Sequence, residues 1–191
     1  PDFNEIKKYT GVNKAKNFEL FQEDLADHDM GDLGHDFFIA SGKLQALCYK
    51  HEIEKTLRTP GYSGFQLLCL NDYSGQGSAL VGVTDVFWDA KEYIDAAAFR
   101  RFCNSTVMLA KLHKFVFKGS ETMSAEIETT HFGREPLKNA EVVWTVKNRY
   151  NEVLAEGVFR KAEIAVGHAQ PIGRIDFPLA GIEEAQQLNL E

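Results

Sequence analysis

The feature that most restricts the fold is a short apolar run that ends in a polar loop. The run FQLLCL covers residues 65–70, with Gly64 before it and Asn71, Asp72 and Tyr73 after it. A run of this length that is apolar at all positions but Gln66 is typical of a strand buried on both faces, as in parallel sheets. It predicts a buried strand here that leads into a binding loop, although an ordinary strand-to-loop junction with turn-forming residues has the same pattern.

The loop after this run carries groups that can bind a ligand. In parallel α/β folds, ligands bind beyond the carboxyl ends of the strands. Four residues here carry such groups, namely two amides, a carboxylate and a phenol: Asn71, Asp72, Tyr73 and Gln76. Two glycines in the same loop make its backbone more flexible. The pattern therefore makes these four residues candidates for a binding site.

The rest of the first half of the chain has helical spacing. Apolar residues recur at this spacing from a candidate cap at Asn17 to near Gly31, and again from Asp32 or Gly34 to Pro60. A short helix is expected after a further candidate cap at Asp95, whereas residues 1–12 have little periodicity and read as a loop with at most one helical turn.

The spacing changes from residue 106 onward. Apolar and polar residues then alternate in short runs, with a hairpin loop expected between Asn148 and Glu152. Short alternating strands at this spacing are typical of β-sandwiches, most of all immunoglobulin-like ones. We therefore predict an α+β chain, helical over residues 1–105 and an antiparallel β-sandwich over 106–191.

Charge and hydropathy exclude two classes of partner. The 191-residue chain has a net charge of -7 and no arginine-rich stripe, which argues against a nucleic-acid surface. No apolar stretch approaches the ~20 residues that span a bilayer. Because the chain begins on Pro1 and not on methionine, we expect a piece of a longer polypeptide.

Metal and dinucleotide motifs are incomplete. His51-Glu52 lacks the second histidine of H-E-x-x-H, which would fall on Lys55, and Gly75-Gln76-Gly77 lacks the third glycine of a dinucleotide fingerprint, which would fall on Leu80. The six histidines show no ligand spacing. The three cysteines, Cys48, Cys69 and Cys103, are far apart in sequence and are predicted to be small core residues.

The stretch around the apolar run matches a family pattern. The matching positions are Phe65 to Leu68, Asp72, Gly75 to Gly77, Ala79 to Gly82 and Phe87 to Asp89. They resemble the last strand, loop and closing segment of the (β/α)8 barrel in glycoside hydrolase family 2, which includes β-galactosidase-like and β-glucuronidase-like enzymes. Ser78 stands for a usual threonine and Glu92 for a usual glycine.

The resemblance implies an architecture and an activity. Residues 1–105 would be the C-terminal part of the catalytic barrel, and residues 106–191 the immunoglobulin-like domain that follows it. The intact protein would be a retaining exo-glycosidase that cleaves terminal β-linked sugars with two glutamates and no cofactor. Both glutamates would lie outside this chain, so the chain alone is predicted to be inactive. Such enzymes are compatible with a periplasmic or extracellular location.

Under this resemblance the polar loop becomes part of a sugar-binding wall. Asn71, Asp72 and Gln76 would hydrogen-bond to sugar hydroxyls, and Tyr73 or Trp88 would supply an apolar ring face. A purely structural role for Trp88 and Phe87, in packing at the bottom of the barrel, is an equally favoured alternative. Asp72 paired with Asp85 or Asp89 as the catalytic carboxylates is the less favoured interpretation.

A different class of function fits the second half of the chain. The alternative is a non-catalytic carbohydrate-binding or protein-interaction module in which the β-sandwich carries the function. A glutamate shortly upstream of Pro1 in the parent polypeptide would favour the glycosidase. Because residues 65–70 would lack their barrel neighbours, we also expect this chain to self-associate.

Overall fold

A computed structural model describes residues 2–12, 14–73 and 80–191. The chain forms two compact units. Unit 1 comprises Pro1–Ile53 and Ser63–Cys103, and unit 2 comprises Glu54–Tyr62 and Asn104–Glu191. Among the described residues, no helix is long and apolar enough to cross a membrane.

Unit 1 is built mainly from helices. They are a 3₁₀ helix over Phe3–Lys8, α1 over Lys16–Asp27, a 3₁₀ turn over Gly31–Leu33, α2 over Gly34–Arg58 and α3 over Ala96–Arg100. The last turn of α2, from Glu54 on, is assigned to unit 2.

Of three helix ends predicted from the sequence, the structure has two where they were expected. Helix α2 ends just before Pro60, as predicted, because proline cannot continue a helix and restricts the residue before it. Asp95 caps α3 by accepting a hydrogen bond from the Ala98 amide at 2.7 Å. The predicted cap at Asn17 is wrong, because α1 begins at Lys16 and its N-cap is Ala15.

The predicted strand over residues 65–70 is also wrong. These residues form no strand, and just after them an isolated parallel bridge joins Asn71 to Thr84. Leu68 is 86% exposed, and Phe65 and Leu70 are each more than one-third exposed. A strand that is apolar on both faces needs neighbours on both sides, and the described residues before 106 contain no extended strand to provide them.

The cysteines differ from the expected core role. All three are free thiols. Cys48 is exposed, because it lies on the outer side of α2, while Cys69 and Cys103 are only partly buried. The core prediction is therefore wrong for Cys48.

Unit 2 contains six antiparallel strands in two sheets. They are β1 over Thr106–Leu112, β2 over Thr122–His131, β3 over Leu137–Lys147, β4 over Val153–Ile164, β5 over Gly167–Pro178 and β6 over Asn189–Leu190. The strand orders are β1-β2-β5 and β4-β3-β6. The α+β class and the strands from residue 106 are confirmed, whereas the immunoglobulin-like topology stays a prediction.

One core joins the two sheets of unit 2. Alternate residues of β2, Met123, Ala125 and Ile127, are buried, and Ile175 from β5 and Val146 from β3 belong to the same cluster. This two-residue period is the one expected of a sheet with one covered face.

The predicted loop between β3 and β4 is confirmed. The side-chain oxygen of Asn148 accepts hydrogen bonds from the Tyr150 amide at 2.9 Å and the Glu152 amide at 3.0 Å. An asparagine that bonds its own following backbone in this way is a common turn former.

Candidate functional site

The predicted polar loop begins where two extended segments of unit 1 meet. The Asp72 amide donates to Thr84 O at 3.0 Å, and the Val83 amide donates to Leu70 O at 2.9 Å. These bonds place residues 70–72 beside residues 82–84. Gln76, the fourth predicted site residue, lies outside the described residues.

Asp72 is buried in an ion pair. Its Oδ1 accepts a hydrogen bond from the Gly82 amide at 2.8 Å. The Lys91 ammonium lies 2.8 Å from both carboxylate oxygens, with hydrogen-bond geometry toward Oδ1. The side chains of Asp72 and Lys91 are only 1% and 5% exposed. The carboxylate therefore already has partners inside unit 1, and a sugar contact by Asp72 stays a prediction.

The two neighbours of Asp72 in the sequence, Asn71 and Tyr73, have different environments. The Asn71 side-chain amide donates to Asp72 O at 3.0 Å, which fixes its orientation. The Tyr73 ring is about half exposed. Of Asn71, Asp72 and Tyr73, Tyr73 is therefore the most exposed.

A set of side chains holds residues 81–82 in place. Gly82 O accepts hydrogen bonds from Lys91 Nζ at 2.9 Å and from the Tyr93 hydroxyl at 2.8 Å. The Tyr49 hydroxyl donates to Val81 O at 2.7 Å. A Cβ on residue 82 would lie 2.3 Å from the Asn71 carbonyl carbon, so only glycine allows this close approach.

The segment from Asp85 to Asp89 forms a tight turn that displays an aromatic ring. The Asp85 carboxylate accepts hydrogen bonds from the amides of Phe87 at 2.8 Å and Asp89 at 2.9 Å. Trp88 adopts a φ of 69° and its side chain is 64% exposed. A positive φ is uncommon for a residue with a side chain and is often associated with functional sites.

Lys8 ties this turn to the N-terminal 3₁₀ helix. Its ammonium forms ion pairs with Asp85 and, at 2.6 Å, with Asp89. Burial alone would raise the pKa of Asp85, but the hydrogen bonds from Lys8 and from two backbone amides outweigh it and lower that pKa. Asp85 is therefore a carboxylate at neutral pH.

Glu5, like Lys8 and Lys91, is a residue of this site that the sequence did not reveal. It is fully buried, and its Oε1 accepts a hydrogen bond from the Val86 amide at 3.2 Å. Burial raises its pKa from 4.5 to about 7, the Val86 hydrogen bond opposes this shift, and the charges of Asp72 and Asp85 add to it. No pattern in residues 1–12 distinguishes this glutamate from a solvated one.

Tyr9 lies one turn further along the chain. Its ring meets that of Phe87 edge to face, with centroids 5.4 Å apart. Burial and the nearby carboxylates of Glu5, Asp72 and Asp85 raise the pKa of Tyr9 to about 12. Its phenol is therefore a neutral hydrogen-bonding group at neutral pH.

The two buried aspartates of this site are both held in ion pairs. Asp72 and Asp85 each have a lysine ammonium as an ion-pair partner, so neither is available as a nucleophile. Across residues 2–12, 14–73 and 80–191, no three His, Cys, Asp or Glu side chains are arranged to hold a metal ion.

Comparison with known proteins identifies one family region. A protein-family model described as a domain of unknown function (DUF8488) matches residues 121–191. These residues contain β2 to β6 of unit 2 and none of the candidate site. No curated protein matches the chain.

Proposed function

We propose that the chain is the C-terminal portion of a retaining exo-glycosidase that acts on terminal β-linked sugars. Unit 1 would form part of the sugar-binding wall, and the two catalytic glutamates would belong to a part of the enzyme outside these residues. The proposal rests on the family resemblance of residues 65–89. The structural observation that supports it is the exposure of the Trp88 ring on the turn that Asp85 holds.

The Trp88 ring suits a sugar. Ligand pockets combine apolar surfaces with a few fixed polar groups, and a pyranose presents an apolar C–H face between its hydroxyls. The turn fixed by Asp85 exposes the indole, and the half-exposed Tyr73 ring offers a second apolar surface with a hydroxyl at its edge. Asn71, Asp72 and Gln76 are the proposed polar contacts.

The ion pairs of Asp72 and Asp85 in the described part of unit 1 fit a binding role for this chain. Retaining glycosidases need two carboxyl groups about 5–5.5 Å apart, one as nucleophile and one as proton donor. Asp72 and Asp85 are each neutralised by a lysine. We therefore expect no hydrolysis of aryl β-galactosides or aryl β-glucuronides by the chain alone, even at high protein concentration. Turnover by the chain alone would show that the catalytic centre lies within these residues.

Sugar binding can be measured on the chain itself. Trp144 lies in unit 2, so Trp144→Phe leaves Trp88 as the sole tryptophan reporter. Titration with galactose or glucuronate should change the Trp88 emission in a saturable way, with weak affinity near millimolar because the pocket is incomplete. Trp88→Phe should weaken sugar binding, which can be measured from NMR chemical-shift changes during the titration. The Trp144→Phe variant serves as the matched control. If neither sugar shifts any resonance of unit 1, a sugar-binding wall is excluded for this chain.

Self-association is part of this proposal. Residues 65–70 expose several large apolar side chains, of which Leu68 is the most exposed at 86%. Soluble monomers seldom tolerate large contiguous apolar patches. In the intact enzyme these residues would be covered by barrel neighbours, and in this chain a second copy would cover them.

One observation favours the alternative function, a protein-interaction module. Val143 on β3 and Val158 on β4 are opposite each other, and both are exposed, at 65% and 42%. An exposed apolar cross-strand pair provides a contact surface for another protein. If added sugars leave unit 1 unchanged and binding of a partner shifts only the resonances of β3 and β4, the module is the better description.

A further inference from the structure

Glu5 lies in a group of charged residues in which the other buried carboxylates have cationic partners. Asp72 is paired with Lys91, and Asp85 is paired with Lys8. Lys8 also binds Asp89, so both ammonium groups already have other carboxylates as partners. Among the described residues, no ion pair involves Glu5.

The hydrogen bonds of Glu5 do not make up for this lack. Its Oε1 accepts one bond, from the Val86 amide at 3.2 Å, and its Oε2 is buried without a hydrogen-bond donor. A carboxylate that is buried and unpaired is strongly disfavoured in its charged form. The protonated form of Glu5 carries no such penalty.

We propose that Glu5 acts as a proton-controlled latch for the 3₁₀ helix over Phe3–Lys8. When the side chain is protonated, the helix packs against the turn over residues 85–89. When the proton is lost, the buried charge is repelled by Asp72 and Asp85 and the helix is released from the turn. This inference does not depend on the proposed glycosidase function.

The charges around Glu5 place the change near neutral pH. Burial and the two aspartates raise the pKa of Glu5 to about 7, against the opposing effects of the Val86 amide and Lys91. Hydrogen bonds to Asp85 and Asp89 raise the pKa of Lys8, so Lys8 stays charged across this range. The pKa of Asp85 is lowered and that of Tyr9 is raised to about 12. Neither group therefore changes its charge in the window in which Glu5 does.

Two NMR measurements on the chain test the latch. Carbon-13 detection of the glutamate carboxyls gives the pKa of Glu5 directly. Amide hydrogen exchange at Val86 and Tyr9, corrected for the intrinsic effect of pH, reports the opening of the helix. We expect a Glu5 pKa near 7 and an opening equilibrium that rises on the order of 100-fold from pH 5 to pH 9, since each unit of pKa shift corresponds to a factor of ten.

Two variants separate the latch from general effects of pH. Glu5→Gln cannot ionise, so its corrected exchange should not change with pH. Glu19→Gln removes an exposed glutamate of α1 and should behave like the parent chain. A Glu5 pKa near 4.5, or an equal rise in opening in Glu5→Gln, would overturn the proposal. If Glu5→Gln does not fold, the carboxyl titration and exchange profile of the parent chain still decide.

Discussion

Replacing Asp72 by asparagine should strongly destabilise unit 1. The Asp72 carboxylate and the Lys91 ammonium are both buried and 2.8 Å apart. Without the carboxylate, the ammonium would keep Gly82 O as its described hydrogen-bond acceptor. Removal of one partner from a buried pair costs about 3–5 kcal/mol, because the other charge remains buried and uncompensated. The asparagine oxygen can still accept from the Gly82 amide, so the loss comes mainly from the charge.

Urea unfolding followed by tryptophan fluorescence measures this loss. Trp144→Phe should be used as the background, so that the signal comes from Trp88 in unit 1 and not from unit 2. Asp89→Asn is the matched control, because Asp89 also pairs with a lysine but is 66% exposed. Exposed pairs are worth about 0–1 kcal/mol. The free energy of unfolding should therefore fall several times further for Asp72→Asn than for Asp89→Asn.

A double-mutant cycle gives the decisive result. Lys91→Met should be costly alone and much less costly when combined with Asp72→Asn, because the double variant buries no isolated charge. If Asp72→Asn costs less than about 1 kcal/mol, or if the two effects simply add, the buried pair does not stabilise unit 1. Asp72 would then be available to a ligand.

Three further predictions concern stability and assembly. Since the pKa of Glu5 is raised from 4.5 to about 7, the contribution of Glu5 to the free energy of unfolding should be highest below pH 4.5. About 3 kcal/mol should be lost as the pH rises to and beyond 7, and Glu5→Gln should remove this dependence in urea titrations at several pH values. Gly157→Ala would place a Cβ 2.6 Å from the Trp144 ring and should cost about 1–3 kcal/mol in thermal unfolding, whereas Gly181→Ala, with open space around it, should not. Light scattering should show dimers or larger species that Leu68→Asp disperses; a monomer at high concentration would contradict self-association.

The parts of the fold set by neighbouring residues were predictable from the sequence. Helix α2 follows from apolar spacing and the proline after it, and the strands of unit 2 follow from two-residue alternation. Asp95 was recognised as a cap because its bond to Ala98 spans only three residues. Each of these signals acts over a single turn or strand.

The parts set by distant residues were not predictable. The apolar run over residues 65–70 has the composition of a buried strand, but whether it becomes one depends on neighbours that composition does not reveal. The Val86 amide that bonds Glu5 lies 81 residues away, and Lys91 lies 19 residues from Asp72. A glutamate or lysine that is buried in such a pair looks the same in sequence as one in solvent.

The environments of the predicted site residues could therefore not be read from the sequence. Asn71, Asp72 and Tyr73 were grouped because they follow one another after the apolar run. The structure gives them different environments, with Asp72 buried in an ion pair and Tyr73 half exposed. Lys91, Glu5 and the presentation of Trp88 were visible only once the chain was folded.

Unit 2 is not encoded by one continuous segment of the gene. The Thr130 hydroxyl, which is buried, donates to Leu57 O at 2.9 Å, and Arg58 donates to Ala110 O at 2.9 Å. These partners come from the last turn of α2, nearly fifty residues before Asn104 in the sequence. A recombinant piece that begins at Asn104 would thus leave a buried hydroxyl without its acceptor. A recombinant piece meant to contain unit 2 whole therefore has to include the last turn of α2 as well as the two sheets.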